Sequence, residues 1–585
     1  MKTISNIKKI FIKSINLIRQ VDGRYIYITL AAIIISSIIP VISLKIMQQI
    51  INIIQIKIDD LSSILKLIIW YLIVDLVLIL IQFFYGYYKQ KYSLKFNIKI
   101  KELVLKKSSK LDLRSFEDSK IYDMLQRADS QSEGAILTYF DTIISSVGIC
   151  ISSIAYIMVI ISFEPLIIVF LTLFPMIEFF IGNRINREEF KIVKERTNEE
   201  RKAWYNSYII TCGLNYKELK LYGLFGYFIN NFIILAKRFA AQDLYIGRKR
   251  MRYLMIFSLL EQIVMGLLFS YTIYCGYLSR ILIGDVVTYT RSIVSTKTQI
   301  RQIIQMLADL NKSTLFISQL FDFLDLDEEF DPDSYAVDEV KTIDIVNLSY
   351  KYPNSKEYAL RNVCLSIKKG DIIAIVGKNG SGKSTLMKIL LGMYGDYEGE
   401  IYINGINFRK INKRKFFKCV GALFQDFTKY EGTIRENICY SNLNESRNDI
   451  KIKDVCKKFK LDELVNNEDK NIDTQLGYWF ESGKQISLGQ WQKIALARCF
   501  VRDADLYFLD EPNAMLDAVS EFEIIELYEN IFKGKIGIII THKFINFINK
   551  SNKIVVLNNG EIESYGTHED LLKKSKTYNE LYNLQ

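Results

Sequence analysis

The chain has 585 residues, of which 50% are hydrophobic, and its 76 basic and 65 acidic residues give a formal net charge of +11. This length is too great for one hydrophobic core, so we expect at least two domains. The eight cysteines show no CxxC spacing and only two histidines are present, which excludes a zinc framework or a disulfide scaffold as the basis of the fold.

Long apolar runs fill the first half of the chain. A segment of about 20 apolar residues can cross a bilayer as a helix, and basic stretches such as "KKIFIKSINLIR" flank these runs as membrane anchors do. Five runs are clear, and a sixth is weaker because it contains Arg291 and Lys297, which a helix beside a polar pathway tolerates. The six predicted spans lie near residues 25–48, 64–86, 140–161, 164–182, 253–278 and 281–303.

Ionisable residues inside these spans are candidates for cargo contact or for coupling, since charge within a bilayer is costly. Lys297 and Arg301 share a helix face at i and i+4. An alternative is that the basic side chains reach the inner leaflet and the acidic ones pair with neighbouring helices. The residues concerned are Asp75, Glu178, Glu261, Arg291, Lys297 and Arg301.

An acidic stretch containing Pro332 ends the apolar half, and short apolar strands then alternate with amphipathic helices. This pattern predicts an α-helical membrane domain with long cytoplasmic hairpins, followed by an α/β domain. We place the membrane domain at residues 1–325, a linker at 326–340 and the α/β domain at 341–585.

The stretch "GKNGSGKST" fits GxxxxGK[ST] between an apolar strand and a helix. In this context the glycines let backbone N–H groups converge on phosphate, the lysine neutralises phosphate oxygens and the first hydroxyl after it can bind Mg²⁺. This stretch, residues 377–385, is called the phosphate loop below. The predicted phosphate site in it comprises Gly377, Asn379, Gly380, Ser381, Gly382, Lys383, Ser384 and Thr385.

The strand in "ADLYFLDEP" ends in two carboxylates, Asp510 and Glu511. Asp510 is expected to hold Mg²⁺ through water, and Glu511 to act as the general base on the attacking water. The alternative is that the two carboxylates only cap the next helix.

In "ESGKQISLGQWQKIALAR", Ser487 and Gln490 fit a capping box at a helix start. Gly489 at the second helical position, with free N–H groups and the helix dipole, also suits an anion. Leu488 occupies the first helical position, where its side chain can point away from phosphate and leave the Ser487 hydroxyl and the Gly489 N–H available.

Taken together, these motifs resemble the ATP-binding cassette of ABC transporters, and the whole chain resembles a half-transporter of the type IV exporter fold. The motifs occur in the family's order: Tyr352 in "SYKYP", the phosphate loop, Gln425 in "LFQDF", "ISLGQ", "LYFLDEP", "AMLD" and His542 in "IITHK".

The resemblance implies roles for these residues. Tyr352 would stack on adenine, Gln425 would contact Mg²⁺ and the attacking water, and His542 would contact the γ-phosphate. Two cassettes would face head to tail, so that ATP lies between one phosphate loop and the other chain's Ser487, Gly489 and Gln490, with Asp517 at the same interface. Coupling helices would lie near residues 114–124 and 216–223.

Two departures from the family pattern affect the choice between a homodimer and a heterodimer. Leu488 replaces a glycine, and Ala514 and Met515 replace the usual Ser-Ala. The alternative to a Leu488 side chain that points away from phosphate is one that keeps the two cassettes slightly apart. A homodimer is the preferred prediction, and a heterodimer with one weakened ATP site is the alternative.

By the same resemblance, the motif sequences of the cassette look most like those of exporters of lantibiotics and other bacteriocins at the bacterial cytoplasmic membrane. No cysteine precedes Cys150 and no histidine precedes His542, so we expect no N-terminal peptidase domain. A drug or lipid exporter and an ATP-gated sensor are the alternatives; nucleic acid is not an expected partner.

Overall fold

The computed structural model forms two compact units. It describes residues 2–56, 61–118, 134–213, 215–329, 335–353, 355–465, 471–541 and 551–584, together with residues 121, 124, 125, 128 and 332 between these ranges. The first unit comprises residues 1–109 and 120–326, and the second comprises residues 110–119 and 327–585. The ten residues 110–119 thus group with the second unit although they lie within the first half of the sequence.

The first unit is helical. Its long helices pack in pairs, and the most extensive packing joins helix Ala135–Ile161 to helix Ile283–Leu324. Its helices are Lys2–Asp22, Arg24–Ile56, Leu61–Ser108, Ala135–Ile161, Leu166–Thr211, Tyr216–Leu221, Phe225–Tyr277 and Ile283–Leu324.

Five helical segments in the described residues are long and apolar enough to cross a membrane: Arg24–Ile56, Leu61–Ser108, Ile136–Ile161, Leu166–Val193 and Phe225–Tyr277. The sixth predicted span falls within the helix Ile283–Leu324, which is long enough but is not among the segments apolar enough to qualify. Its polar side chains, Arg291 and Lys297 among them, lower the mean hydropathy of the helix. The count of six spans therefore stays a prediction.

A cluster of four ionisable side chains joins three long helices of this unit. Glu261 is 5% exposed, and its carboxylate lies 2.6 Å from the Arg301 guanidinium and 3.4 Å from the Lys297 ammonium. Arg301 also lies 3.4 Å from Glu178. Glu261 is the buried member of the cluster, and its two cationic partners offset much of the cost of removing its charge from water. Asp75 and Arg291, by contrast, are exposed.

The second unit contains two sheets. The strands are β1 Thr342–Tyr350, β2 Leu360–Lys368, β3 Ile372–Val376, β4 Glu398–Ile403, β5 Ile406–Asn407, β6 Val420–Leu423, β7 Leu506–Asp510, β8 Ile536–Ile540, β9 Lys553–Asn558 and β10 Glu561–Gly566. The four-stranded antiparallel sheet has the order β2-β1-β4-β5, and the six-stranded sheet, parallel except for β10, has the order β10-β9-β3-β8-β7-β6.

Helices cover the larger sheet, which explains why its central strands are apolar throughout. Successive residues of β7 point to opposite faces: Leu506 and Phe508 pack in one core, Tyr507 and Leu509 in another. The helices are Lys383–Leu390, Lys413–Phe416, Ile434–Cys439, Asp449–Lys458, Asp462–Val465, Leu488–Val501, Ala518–Ile531, His568–Lys574 and Lys576–Asn583.

The structure also contains short helices at the two predicted coupling positions. Helix Leu113–Glu117 lies in the second unit, and helix Tyr216–Leu221 lies in the first. Much of the range 119–133 lies outside the described residues.

Replacing Glu261 by alanine is expected to lower the free energy of unfolding by about 3 kcal/mol, because Lys297 and Arg301 then lose their buried partner. Thermal or denaturant unfolding in lipid nanodiscs measures this. Glu195, whose side chain is 67% exposed beside Lys191, is the control, and Glu195→Ala is expected to change stability little. Equal stability of the two variants would contradict a stabilising role of the cluster.

Candidate active site

The candidate site lies at one edge of the six-stranded sheet. Strands β3, β8, β7 and β6 are parallel neighbours, so their carboxyl ends meet at the same edge. Register pairs Ile540 with both Ile375 and Asp510. The loops that begin after these strands carry the phosphate loop, Gln425 and Glu511, while His542 lies outside the described residues.

The phosphate loop wraps closely against the rest of its unit, and only glycine fits at two of its positions. A Cβ atom at Gly377 would overlap the Leu557 carbonyl oxygen, and one at Gly382 would lie 2.6 Å from the Ala359 carbonyl oxygen. Gly382 also has φ of +102°, in the left-handed region. The Ser381 hydroxyl is buried and has no hydrogen-bond partner in the described structure. This free buried hydroxyl and the glycine backbone suit a phosphate group.

Lys383 begins the helix Lys383–Leu390 and is buried. Its ammonium donates to the carbonyl oxygens of Gly377 and Lys378 at 2.9 and 3.0 Å, which holds it folded over the loop. Burial lowers the pKa of Lys383, and the carboxylates of Asp510 and Glu511 oppose that shift. A cation held in this way is placed to neutralise phosphate charge.

Ser384 and Asp510 form the candidate magnesium site. Asp510 ends the buried strand β7, and its carboxylate is hydrogen-bonded by the side chain of Ser384. Burial raises the pKa of Asp510, while Ser384 and Lys383 oppose that shift. A hydroxyl and a carboxylate are oxygen ligands of the kind Mg²⁺ prefers.

Glu511 and Gln425, both of which the sequence analysis assigns to the attacking water, are in contact. The Gln425 side-chain amide donates to the Glu511 carboxylate at 3.1 Å. Glu511 itself has φ of +48°, a conformation that non-glycine residues rarely adopt and that clusters at functional sites. The next helix, Ala518–Ile531, is capped by the Asp517 side chain, which was the role that the alternative gave to Asp510 and Glu511.

Tyr352 is half-buried, and its hydroxyl lies 3.1 Å from the Thr385 hydroxyl at the start of the phosphate-loop helix. Its ring meets those of Tyr350 and Tyr394 edge to face, at centroid distances of 5.2 and 5.8 Å. Tyr352 is therefore held beside the phosphate loop, where a nucleotide base can stack on it. Asn379 and Gly380 lie in the exposed turn of that loop.

The capping box predicted at Ser487 is confirmed. The Ser487 hydroxyl accepts from the Gln490 N–H at 3.2 Å, and the Gln490 side chain accepts from the Ser487 N–H at 3.0 Å. Leu488 is the first helical residue and is 41% exposed, so it does not disturb the helix start. In the described part of the chain, no hydrogen bond joins Ser487, Gly489 or Gln490 to the phosphate loop of the same chain.

Gln492 is a residue of this site that the sequence interpretation missed. It is buried, its amide donates to the Glu511 carbonyl oxygen at 3.1 Å, and its side-chain oxygen accepts from the Met515 N–H at 2.9 Å. Gln492 thus ties the helix Leu488–Val501 to the turn that carries Glu511. A buried glutamine inside an otherwise apolar helix face was the available signal. Asp517 caps the next helix by accepting from the Ser520 N–H at 2.9 Å.

Comparison with known proteins decides the family. A profile described as "ABC transporter" matches residues 360–514. The subtilin transport ATP-binding protein SpaT of Bacillus subtilis is 36% identical over 94% of this chain and 89% of its own length. The chain belongs to the ABC transporter family. It is thus a multi-pass membrane protein that binds ATP and couples ATP hydrolysis to transport.

Other relatives agree with this assignment. The ABC transporter chain is 34% identical to the nisin transport ATP-binding protein NisT of Lactococcus lactis subsp. lactis, over 97% of this chain and 95% of the relative. A solved bacterial Atm1-family ABC exporter with ATP bound matches with a TM-score of 0.80 at 18% identity, covering 96% of this chain and 99% of that one. The structural match shows that the ABC transporter chain has the exporter fold.

Replacing Gly489 by alanine in this ABC transporter is expected to lower the ATPase rate by roughly ten- to a hundredfold, the cost of displacing reacting groups by about 1 Å. The reason is that an added Cβ would lie 2.8 Å from the Met515 carbonyl oxygen, a backbone atom, and would push two segments of the site apart.

Steady-state hydrolysis in nanodiscs measures the rate of this variant. The control is Gly395→Ala, at a position where a Cβ meets nothing within 4 Å. If both variants hydrolyse ATP at the wild-type rate, the close packing of Gly489 on Met515 is irrelevant to catalysis.

Proposed function

We propose that this exporter moves a ribosomally made peptide of the lantibiotic class out of the cytoplasm across the bacterial cytoplasmic membrane. The observation that carries the proposal is the match of the subtilin and nisin transport proteins over nearly the whole chain, at 36% and 34% identity. The similarity therefore extends beyond the cassette into the membrane unit, where cargo passes.

The site residues divide the chemistry between them. The backbone of Gly377, Gly380 and Gly382 and the ammonium of Lys383 hold the phosphates, and Tyr352 stacks on the base. Ser384, Gln425 and Asp510 would hold Mg²⁺, whose charge would neutralise phosphate oxygens.

Glu511 accepts a proton from the attacking water, and Gln425 keeps the Glu511 carboxylate turned toward that water through the 3.1 Å hydrogen bond. Such a base works best when it stays ionised and is held in one orientation. His542 is assigned to the γ-phosphate by sequence alone.

The working form is a dimer of this chain, in which the second copy completes each ATP site with Ser487, Gly489, Gln490 and Asp517. Three of these residues are exposed or half-buried at a helix start, as an interface requires. The confirmed capping box and the exposure of Leu488 favour a homodimer with two working sites over a heterodimer with one weakened site.

A cavity of about 510 Å³ in the membrane unit supports a role for the charged cluster in cargo binding. Glu178, Arg250 and Arg301 line it together with Met251 and Met255. Arginine side chains beside flexible methionines suit a peptide that carries both acidic and apolar residues. Of the other candidates, Glu261 holds Arg301 in place and also pairs with Lys297. Arg291 remains a prediction without a described contact.

Lipid transport is the second candidate function. The ATP-dependent lipid A-core flippase of Pseudomonas savastanoi pv. phaseolicola is 32% identical, but over 51% of this chain and 49% of its own length. That match covers half of the chain, whereas the peptide transporters match nearly all of it. Peptide export is therefore the better supported proposal.

Glu511→Gln is expected to lower Mg²⁺-ATP hydrolysis by about 10² to 10⁴-fold, because it removes the general base. The chain is assayed alone in nanodiscs with particle mass recorded in the same samples, and a dimer is expected. The control is Glu523→Gln, a surface residue beside Lys460 that is expected to keep the wild-type rate. A monomer, or a wild type no faster than Glu511→Gln, would contradict the homodimer proposal.

The cargo is tested in inverted vesicles that contain the wild type or Glu511→Gln. ATP-dependent uptake of a lantibiotic precursor by the wild type alone is expected. Movement of labelled lipid A with no uptake of the precursor would favour the second candidate instead.

A further inference from the structure

The described cassette unit contains a contact that the reaction chemistry does not use. Helix Leu113–Glu117 packs in this unit, where Leu113 lies against the core and Arg114 pairs with Asp396. The Glu117 carboxylate accepts from the Tyr394 hydroxyl at 2.9 and 3.2 Å. A segment that the sequence places between two membrane helices is thus fastened to the cassette by the Glu117 side chain.

Tyr394 is the centre of this contact. Its side chain is 1% exposed, its ring stacks on Tyr350 at 5.1 Å, and it meets Tyr352 edge to face at 5.8 Å. Lys388 adds a positive charge 3.9 Å from the Glu117 carboxylate. Burial, followed by the hydrogen bond to Glu117, raises the pKa of the Tyr394 hydroxyl, so it stays protonated and remains a donor.

One short helix therefore connects the phosphate loop at its start with the contact to Glu117 just beyond its end. Helix Lys383–Leu390 begins at the phosphate loop, and Tyr394 follows shortly after its end. Tyr352 contacts both ends, through Thr385 at 3.1 Å and through the Tyr394 ring. Because the two rings are in edge-to-face contact, a shift of the Tyr352 ring toward Tyr394 displaces Tyr394.

We propose that Tyr394 is a positioning residue that transmits the state of Tyr352 to helix Leu113–Glu117 through its hydrogen bond to Glu117. The inference rests on the proposed stacking of a nucleotide base on Tyr352. A base seated on Tyr352 fixes the three tyrosine rings, fixes the Tyr394 hydroxyl and so steadies the helix. Phosphate binding without a base does not do this, because it leaves the face of Tyr352 uncovered.

The test uses the full chain in nanodiscs with two probes, a non-hydrolysable Mg²⁺-ATP analogue and Mg²⁺-tripolyphosphate, which has no base. Amide hydrogen exchange is followed in residues 110–118, where Ser115 and Asp118 donate helical hydrogen bonds. In the wild type the analogue is expected to slow exchange and tripolyphosphate is not. Tyr394→Phe is expected to reduce the slowing by roughly tenfold, the factor that one hydrogen bond to a charged group supplies.

Tyr350→Phe is the matched control. It removes a hydroxyl from the same aromatic cluster, but the Tyr350 hydroxyl is buried with no hydrogen-bond partner in the described structure. It is expected to keep the wild-type slowing. Glu117→Ala removes the acceptor from the other side of the contact, on a partly exposed side chain, and is expected to behave like Tyr394→Phe.

The inference is overturned if the wild type shows no slowing specific to the base, if Tyr394→Phe keeps it, or if Tyr350→Phe loses it equally. Affinity for the analogue separates this failure from failure of the proposed function. Tyr352→Ala is expected to weaken analogue binding, whereas Tyr394→Phe is expected to leave it within about twofold, since the ring packing stays. An unchanged affinity in Tyr352→Ala would reject the base contact itself.

Discussion

Parallel pairing of four strands is the constraint on which the whole cassette site depends. Because β3, β8, β7 and β6 run in one direction, residues far apart in sequence reach the same edge of the sheet. The apolar cores on both faces hold these strands in register, so that Asp510 lies opposite Ile540 and Ile540 opposite Ile375. The precision of the site is thus a consequence of burial, which fixes register wherever a strand is covered on both faces.

The helix that begins at Leu488 illustrates how a departure from a motif can be tolerated. The function of this start depends on a capping hydroxyl, the absence of a side chain at the second helical position and free N–H groups. The capping box between Ser487 and Gln490 supplies the first, and Gly489 supplies the second. Leu488 is 41% exposed and leaves the helix start of its own chain intact, so in the proposed dimer its effect would fall on the second copy.

Much of the cassette could be predicted because its motifs are local. The phosphate loop, the capping box and the strand before Glu511 each occupy a few consecutive residues whose spacing carries the chemistry. The structure confirms the helix starts at Lys383 and Leu488 and the α/β architecture around them.

Contacts between distant segments could not be predicted in the same way. Gln492 and Tyr394 make hydrogen bonds to residues that only folding brings near. A buried polar residue within an apolar pattern does not indicate which residue it will contact. The weak sixth span has a related cause. Its charges lower its hydropathy, and two of them, Lys297 and Arg301, pair with Glu261 from another helix.

The central claim is that two copies of this chain close on ATP, and that the start of helix Leu488–Val501 in each copy completes the other copy's site. The most direct measurement is a cryo-electron microscopy structure of Glu511→Gln in nanodiscs with Mg²⁺-ATP. Our account predicts two nucleotides, each between Lys383 of one copy and the Ser487 and Gly489 of the second copy. Nucleotide bound to the phosphate loop alone, with Leu488 holding the helix starts apart, would contradict it.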